Sequence, residues 1–341
     1  MSETSFDEIF TTYYPSPSPA RAVAALETQA RADPGWLDRG QRSLEIYFFS
    51  VIARRYPPIL RDYEALFDRQ PSRYILDVLA ETDDDGTRRF ITARLNEDRF
   101  RGFHHQMRAI VNGSARPRLD PLSHPAHDAL DLDLLWAEFL VTGETTSVER
   151  IIDVLEWPDL VRQRVESSLR LPKSVRSVGM FLPWLGRSRL SVSDGVVRFL
   201  GIQVDGERRV VETPEDLDCR FWAPSGSSGE RTWSLVSPLL SKRQRAKVAT
   251  KAAARWSVGA NAVQHEPVLQ ACEAASSTRD GRAQLALLEI SAYARLSRGH
   301  RSEAASWATR YLELSPNNDD VRRLLDRATS ADLPAPTQEE G

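Results

Sequence analysis

Gly299 lies between two runs whose apolar residues recur every three or four positions, 287–296 before it and 304–314 after it. A run of that period makes a helix with one buried face. Glycine ends such a helix at little cost because it enters the left-handed region freely. Pro316 with Asn317-Asn318 stops the second run, since proline lacks the amide hydrogen a continuing helix needs. The segment reads as two antiparallel helices around a glycine turn, and its neighbours must be able to pack on helices.

Residue by residue, the hairpin resembles a tetratricopeptide repeat over about 285–318. That family pairs two helices in about 34 residues, with small side chains where they cross. Leu288 falls on its large apolar position and Ala292 on its small one; Ala304 is the second small crossing residue. Ala308 and Tyr311 line the packed face. The match departs at Arg295, where the family often has an aromatic residue. The resemblance implies a concave groove lined by first-helix residues, here Glu289, Tyr293 and Ser297, and a protein or peptide as partner. Residues 319–328 read as a capping helix.

The same frame recurs around Gly143, with Leu132, Leu140, Val148, Ile152 and Leu155 at the matching apolar positions. Trp136 and Val148 replace the small crossing residues, which changes how closely two helices approach. The two glycines are 156 residues apart, not a multiple of the repeat, so the sequence excludes an uninterrupted array.

Upstream, Ser18-Pro19 opens a helix, 36–55 forms a second, and Pro57-Pro58 ends it. Helices follow through 59–67, 74–80, 88–95 and 99–111, with 82–86 as a turn. From 189 the pattern changes. Residues 189–212 are rich in Val, Ile and Phe and carry two Asp-Gly turns, Asp194-Gly195 and Asp205-Gly206, a hairpin signal. The expectation is a mainly α protein of helical hairpins with a small β-hairpin module in the middle, α+β overall. Its parts are an N-terminal helical domain (1–112), a hairpin region (113–170), the β-rich module (171–232), a C-terminal repeat-like segment (233–330) and a flexible tail (331–341).

Two cysteines, Cys219 and Cys272, are too few for a disulfide scaffold and suit a reducing compartment. The first ten residues carry acids where a secretory signal needs bases, and no apolar run reaches 18 residues. A cytoplasmic protein without a transmembrane segment is expected. Only four of 45 basic residues are lysine, which suggests a GC-rich bacterial genome. The net charge of −3 conceals a basic middle, with 18 basic and 9 acidic residues over 160–255.

That basic middle holds the strongest alternative. Arg243, Lys247, Lys251 and Arg255 recur every four residues, opposite a face of Ala249, Ala252, Ala253, Trp256, Ala260 and Val263. Ser241 and Gln244 form a capping box at its start. The stripe suits a nucleic-acid backbone or an anionic membrane, although no stacking aromatics accompany it. A solvated outer face accounts for the same residues. The apolar run 178–185 suits either a membrane surface or a core beside a strand.

Catalytic signals are weak. His124 and His127 precede Asp128, Asp131 and Asp133 without a zinc-type spacing; acids at a helix start favour its dipole. His104-His105 is a similar pair. Cys219 with His265 or His300 has acids beside the thiol, which oppose a thiolate. No phosphate loop, nucleophile elbow or HExxH occurs, so no catalytic residue, metal or cofactor is assigned. The leading reading is a non-catalytic protein- or peptide-binding adaptor. Electrostatic binding through the stripe is the alternative, and an enzyme whose site is assembled across domains is the third.

Overall fold

The structure, a computed structural model, describes residues 6–32, 39–114, 119–157 and 242–330. Every regular element among them is helical. The expected α+β class is thereby corrected: the described residues are all-α, with no strand or sheet. The alternating pattern behind the β expectation is confined to 189–212, while the described segments carry the helical period. The module 171–232 itself lies outside the described residues, as do the run 178–185, Cys219, Ser241 and the tail 331–341.

The chain divides into two compact units, Met1–Ala126 with Leu130–Arg150, and His127–Ala129 with Ile151–Gly341. The first carries α1 (Phe6–Thr12), α2 (Pro19–Ala32), α3 (Arg39–Arg55), α4 (Leu60–Arg69), α5 (Arg73–Thr82), α6 (Asp85–Arg94) and α7 (His104–Val111). Most of α8 (Ala129–Thr142) belongs to it, and the division falls within α9 (Thr146–Leu155).

Local chemistry sets these boundaries. Pro19 occupies the first position of α2, and Ser18 Oγ accepts from the Arg21 amide at 3.4 Å. After α3, Pro57-Pro58 force a 3₁₀ turn, 57–59, from which α4 restarts. Ser72 caps α5 by accepting from the Tyr74 amide at 3.1 Å. Asp83 then turns left-handed at φ 54°, and Asp84 caps α6 by accepting from the Thr87 amide at 2.9 Å. The turn is tighter than the sequence suggests, because Asp85 and Gly86 already belong to α6.

The core of this unit is aromatic. Phe6, Phe10, Tyr13, Phe48 and Phe49 meet ring against ring, and Phe67 stacks on Phe100 at 5.1 Å and 9°. Two buried or part-buried carboxylates are satisfied there: the Tyr74 hydroxyl donates to Glu45 at 2.7 Å and the Tyr47 hydroxyl to Glu138 at 2.6 Å.

The second unit carries α10 (Lys242–Gln264), α11 (Glu266–Ser276), α12 (Gly281–Ser297), α13 (Arg301–Leu314) and α14 (Asp319–Thr329). Each packs on the next, and α10, α12 and α14 also contact one another in succession. These are helical hairpins stacked in sequence. Gly299 turns α12 into α13 at φ 82°. Leu288, Ala292, Ala308 and Tyr311 are buried together with Val321 and Leu324 of α14. Asn318 caps α14 by accepting from the Asp320 and Val321 amides at 3.0 and 3.2 Å, and its Nδ2 donates to the Tyr311 hydroxyl at 2.7 Å.

Arg295 is a buried charged residue in this unit. Its guanidinium donates to Glu273 of α11 at 2.7 and 2.9 Å and lies 3.0 Å from Glu303 of α13. The hydrogen bond to Glu273 holds its pKa above the ordinary arginine value, so it is charged at every relevant pH. Three helices, α11, α12 and α13, are tied through this one side chain.

Candidate functional site

On one side of the stack, α10, α12 and α14 leave an open groove of about 840 Å³. Its apolar lining is Ala252, Gly259, Ala260 and Val263 from α10, Ile290 from α12, and Val321 and Leu324 from α14. A Cβ built at Gly259 would meet Ile290 Cγ1 at 3.8 Å, an ordinary contact. Trp256 and Tyr293 stand in the groove with 69% and 53% of their surface exposed.

The charges are mostly internally matched. Arg255 donates to Glu289 at 2.9 Å across the α10–α12 contact. Arg323 pairs with Asp320 on α14. Arg327 also lines the groove and makes no ion pair among the described residues. No serine, cysteine, histidine or lysine lines it. The groove offers apolar contact, two aromatic rings and a cation.

Two of the three residues singled out from the sequence, Glu289 and Tyr293, line this groove. Ser297 is exposed on the last turn of α12 and is not among the lining residues. Eight residues rotate a helix by about 80° beyond two full turns, which carries that position off the face. The α14 residues of the groove escaped the sequence reading, which treated 319–328 only as a cap. Their spacing at 320, 323, 324 and 327 follows one helical face and was the available signal.

The buried positions of α10 are Thr250, Ala252, Ala254, Val258 and Ala262, and Ala252, Trp256, Ala260 and Val263 of the Ala-Trp-Val face line the groove. The basic stripe is correspondingly occupied. Lys251 Nζ donates to the Trp157 carbonyl at 3.0 Å, Lys247 lies over the Trp157 ring at 5.6 Å, and Arg255 holds Glu289. Arg243 is exposed. The helix is apolar on both sides, so periodicity alone does not tell which side meets its neighbours.

The other candidates dissolve into local roles. No group of three His, Cys, Asp or Glu among the described residues is placed to hold a metal. His124, His127 and Asp128 are exposed, and His104 Nε2 lies 3.3 Å from the Glu97 carbonyl. Cys272 is fully buried, and burial with the adjacent Glu273 pushes its thiol up to about 12, the inert extreme. His300 sits 3.5 Å from Glu303 at the α13 start. Among the described residues, no helix is long and apolar enough to cross a membrane. Against family models, curated proteins and solved structures, the chain finds no match.

Proposed function

We propose that this protein is a non-catalytic adaptor that binds a protein or peptide partner in the α10–α12–α14 groove. The observation that carries this reading is the pair of exposed rings, Trp256 and Tyr293, on an apolar groove floor. Aromatic anchors over small apolar residues are the usual energetic centre of a protein interface. The α12–α13 hairpin is read as a tetratricopeptide-like unit, with α14 as its capping helix. That likeness supports the side chosen for the groove, because it places Glu289 and Tyr293 of the first helix there.

The test is selection of random 16-residue peptides displayed against the full chain. Peptides so enriched should bind Tyr293→Ala and Trp256→Ala at least tenfold more weakly, while circular dichroism shows both variants folded. Equal affinity for the folded variants would overturn the groove reading.

A further inference from the structure

We infer that the groove takes an amphipathic α-helix with carboxylates along its polar edge; this deepens the groove reading above and rests on it. The first argument is hydrogen bonding. The three helices that line the groove satisfy their own backbone groups, and the floor between them is Ala252, Gly259, Ala260, Val263, Ile290 and Leu324. An extended segment laid on that apolar floor would turn amide and carbonyl groups toward side chains that cannot pair with them. A helix brings its backbone already satisfied and presents only side chains, the helix-in-groove mode of recognition.

The second argument is shape. Three helices line one open groove of about 840 Å³, so a helix lying in it meets side chains of more than one of them. Gly259 and its neighbouring alanines lower the floor along α10 and give the large side chains of such a helix somewhere to enter. Trp256 and Tyr293 flank that low strip from α10 and α12.

The third argument is charge. Arg255 and Arg323 are matched by Glu289 and Asp320, whereas Arg327 has no carboxylate among the described residues. The groove therefore carries a net positive charge on its α14 wall. A carboxylate on the incoming helix completes that pair, and a lysine there is opposed.

The peptides enriched by display on the full chain supply the test. They are expected to carry apolar residues at i, i+3 or i+4, and i+7, to hold more Asp and Glu than Lys and Arg, and to gain helical circular dichroism on binding. Their affinity should fall at least tenfold against Arg327→Glu. It should fall as far against Gly259→Leu, which fills the floor while removing a glycine from mid-helix, a change that favours the helix itself. Enriched peptides that are proline-rich, lack helical spacing or are basic would overturn the inference, as would unchanged affinity for Gly259→Leu. If such peptides still lose affinity with Trp256→Ala and Tyr293→Ala, the groove reading stands and only the helical acidic partner fails. If no enriched peptide depends on those rings, both fail.

Discussion

The two units build their cores from different materials. The first buries two groups of rings, Phe6, Tyr13, Phe48 and Phe49 in one and Phe67 with Phe100 in the other. The second buries Ala254, Ala262, Ala286, Ala292, Ala304 and Ala308 where its helices cross. Large rings close a core by filling space. Small crossing residues let helices approach closely and stack in order. A stack of that kind covers two sides of each helix and leaves another side open, which is where Trp256 and Tyr293 stand.

The contrast predicts opposite sensitivities. Phe67→Ala leaves a void beside Phe100 and should cost about 4 kcal/mol. Ala304→Leu adds three side-chain carbons to a closed crossing, and should cost about 2 kcal/mol by overpacking. Urea unfolding measures both. An Ala304→Leu protein as stable as the wild type would mean that the α12–α13 crossing has slack, and the comparison would break.

The two turn glycines sharpen it further. Gly143 and Gly299 both adopt the left-handed region, at φ 73° and 82°. Their surroundings differ. A Cβ at Gly143 would fall 2.1 Å from Tyr14 Cε2, whereas nothing lies within 4 Å of one at Gly299. Gly143→Ala therefore meets both backbone strain and a clash with a ring, together about 3 kcal/mol. Gly299→Ala meets the strain alone, about 1 kcal/mol. Tyr14→Ala should recover part of the loss in the Gly143→Ala background and none in the Gly299→Ala background, read by thermal denaturation. Equal costs at the two glycines would show that Tyr14 yields freely.

The same pair shows what could be read in the sequence and what could not. Both turns were legible, because a glycine between two helical runs is a local signal. The buried frame around each was legible for the same reason, and Leu132, Val148, Ile152, Leu288, Ala304 and Tyr311 are all buried. Tyr14 against Gly143 was not legible, since the two residues are far apart in sequence and no local pattern links them. The groove was half legible. Glu289 and Tyr293 follow from the position of one helix, but the contributions of α10 and α14 depend on how three helices lie together. Ala254, Val258 and Ala262 are as apolar as the face bearing Trp256, so the sequence does not tell which side of α10 its neighbours cover. Helical period gives the faces of a helix, and only its neighbours decide which face they cover.

The smallest expected effect concerns how individual helices begin. In the first unit, α5 and α6 are capped by the side chains of Ser72 and Asp84. In the second, α11 starts at His265, which makes no side-chain capping bond and is only 7% exposed. Burial lowers its imidazole pKa from the ordinary value of 6.5, and the Arg298 charge lowers it further. A histidine with a lowered folded pKa binds fewer protons folded than unfolded. Its contribution to stability is complete above the unfolded value near 6.5 and is lost as pH falls toward the folded value. His265→Asn removes that titration and supplies a preferred capping side chain. The variant's melting temperature should accordingly gain on the wild type as pH is lowered from 7.5 to 5.5, with parallel profiles above 7.5. Parallel profiles over the whole range would show that the imidazole enters the folded unit already free to take its proton, and that this helix start is no more closed to water than those of the first unit.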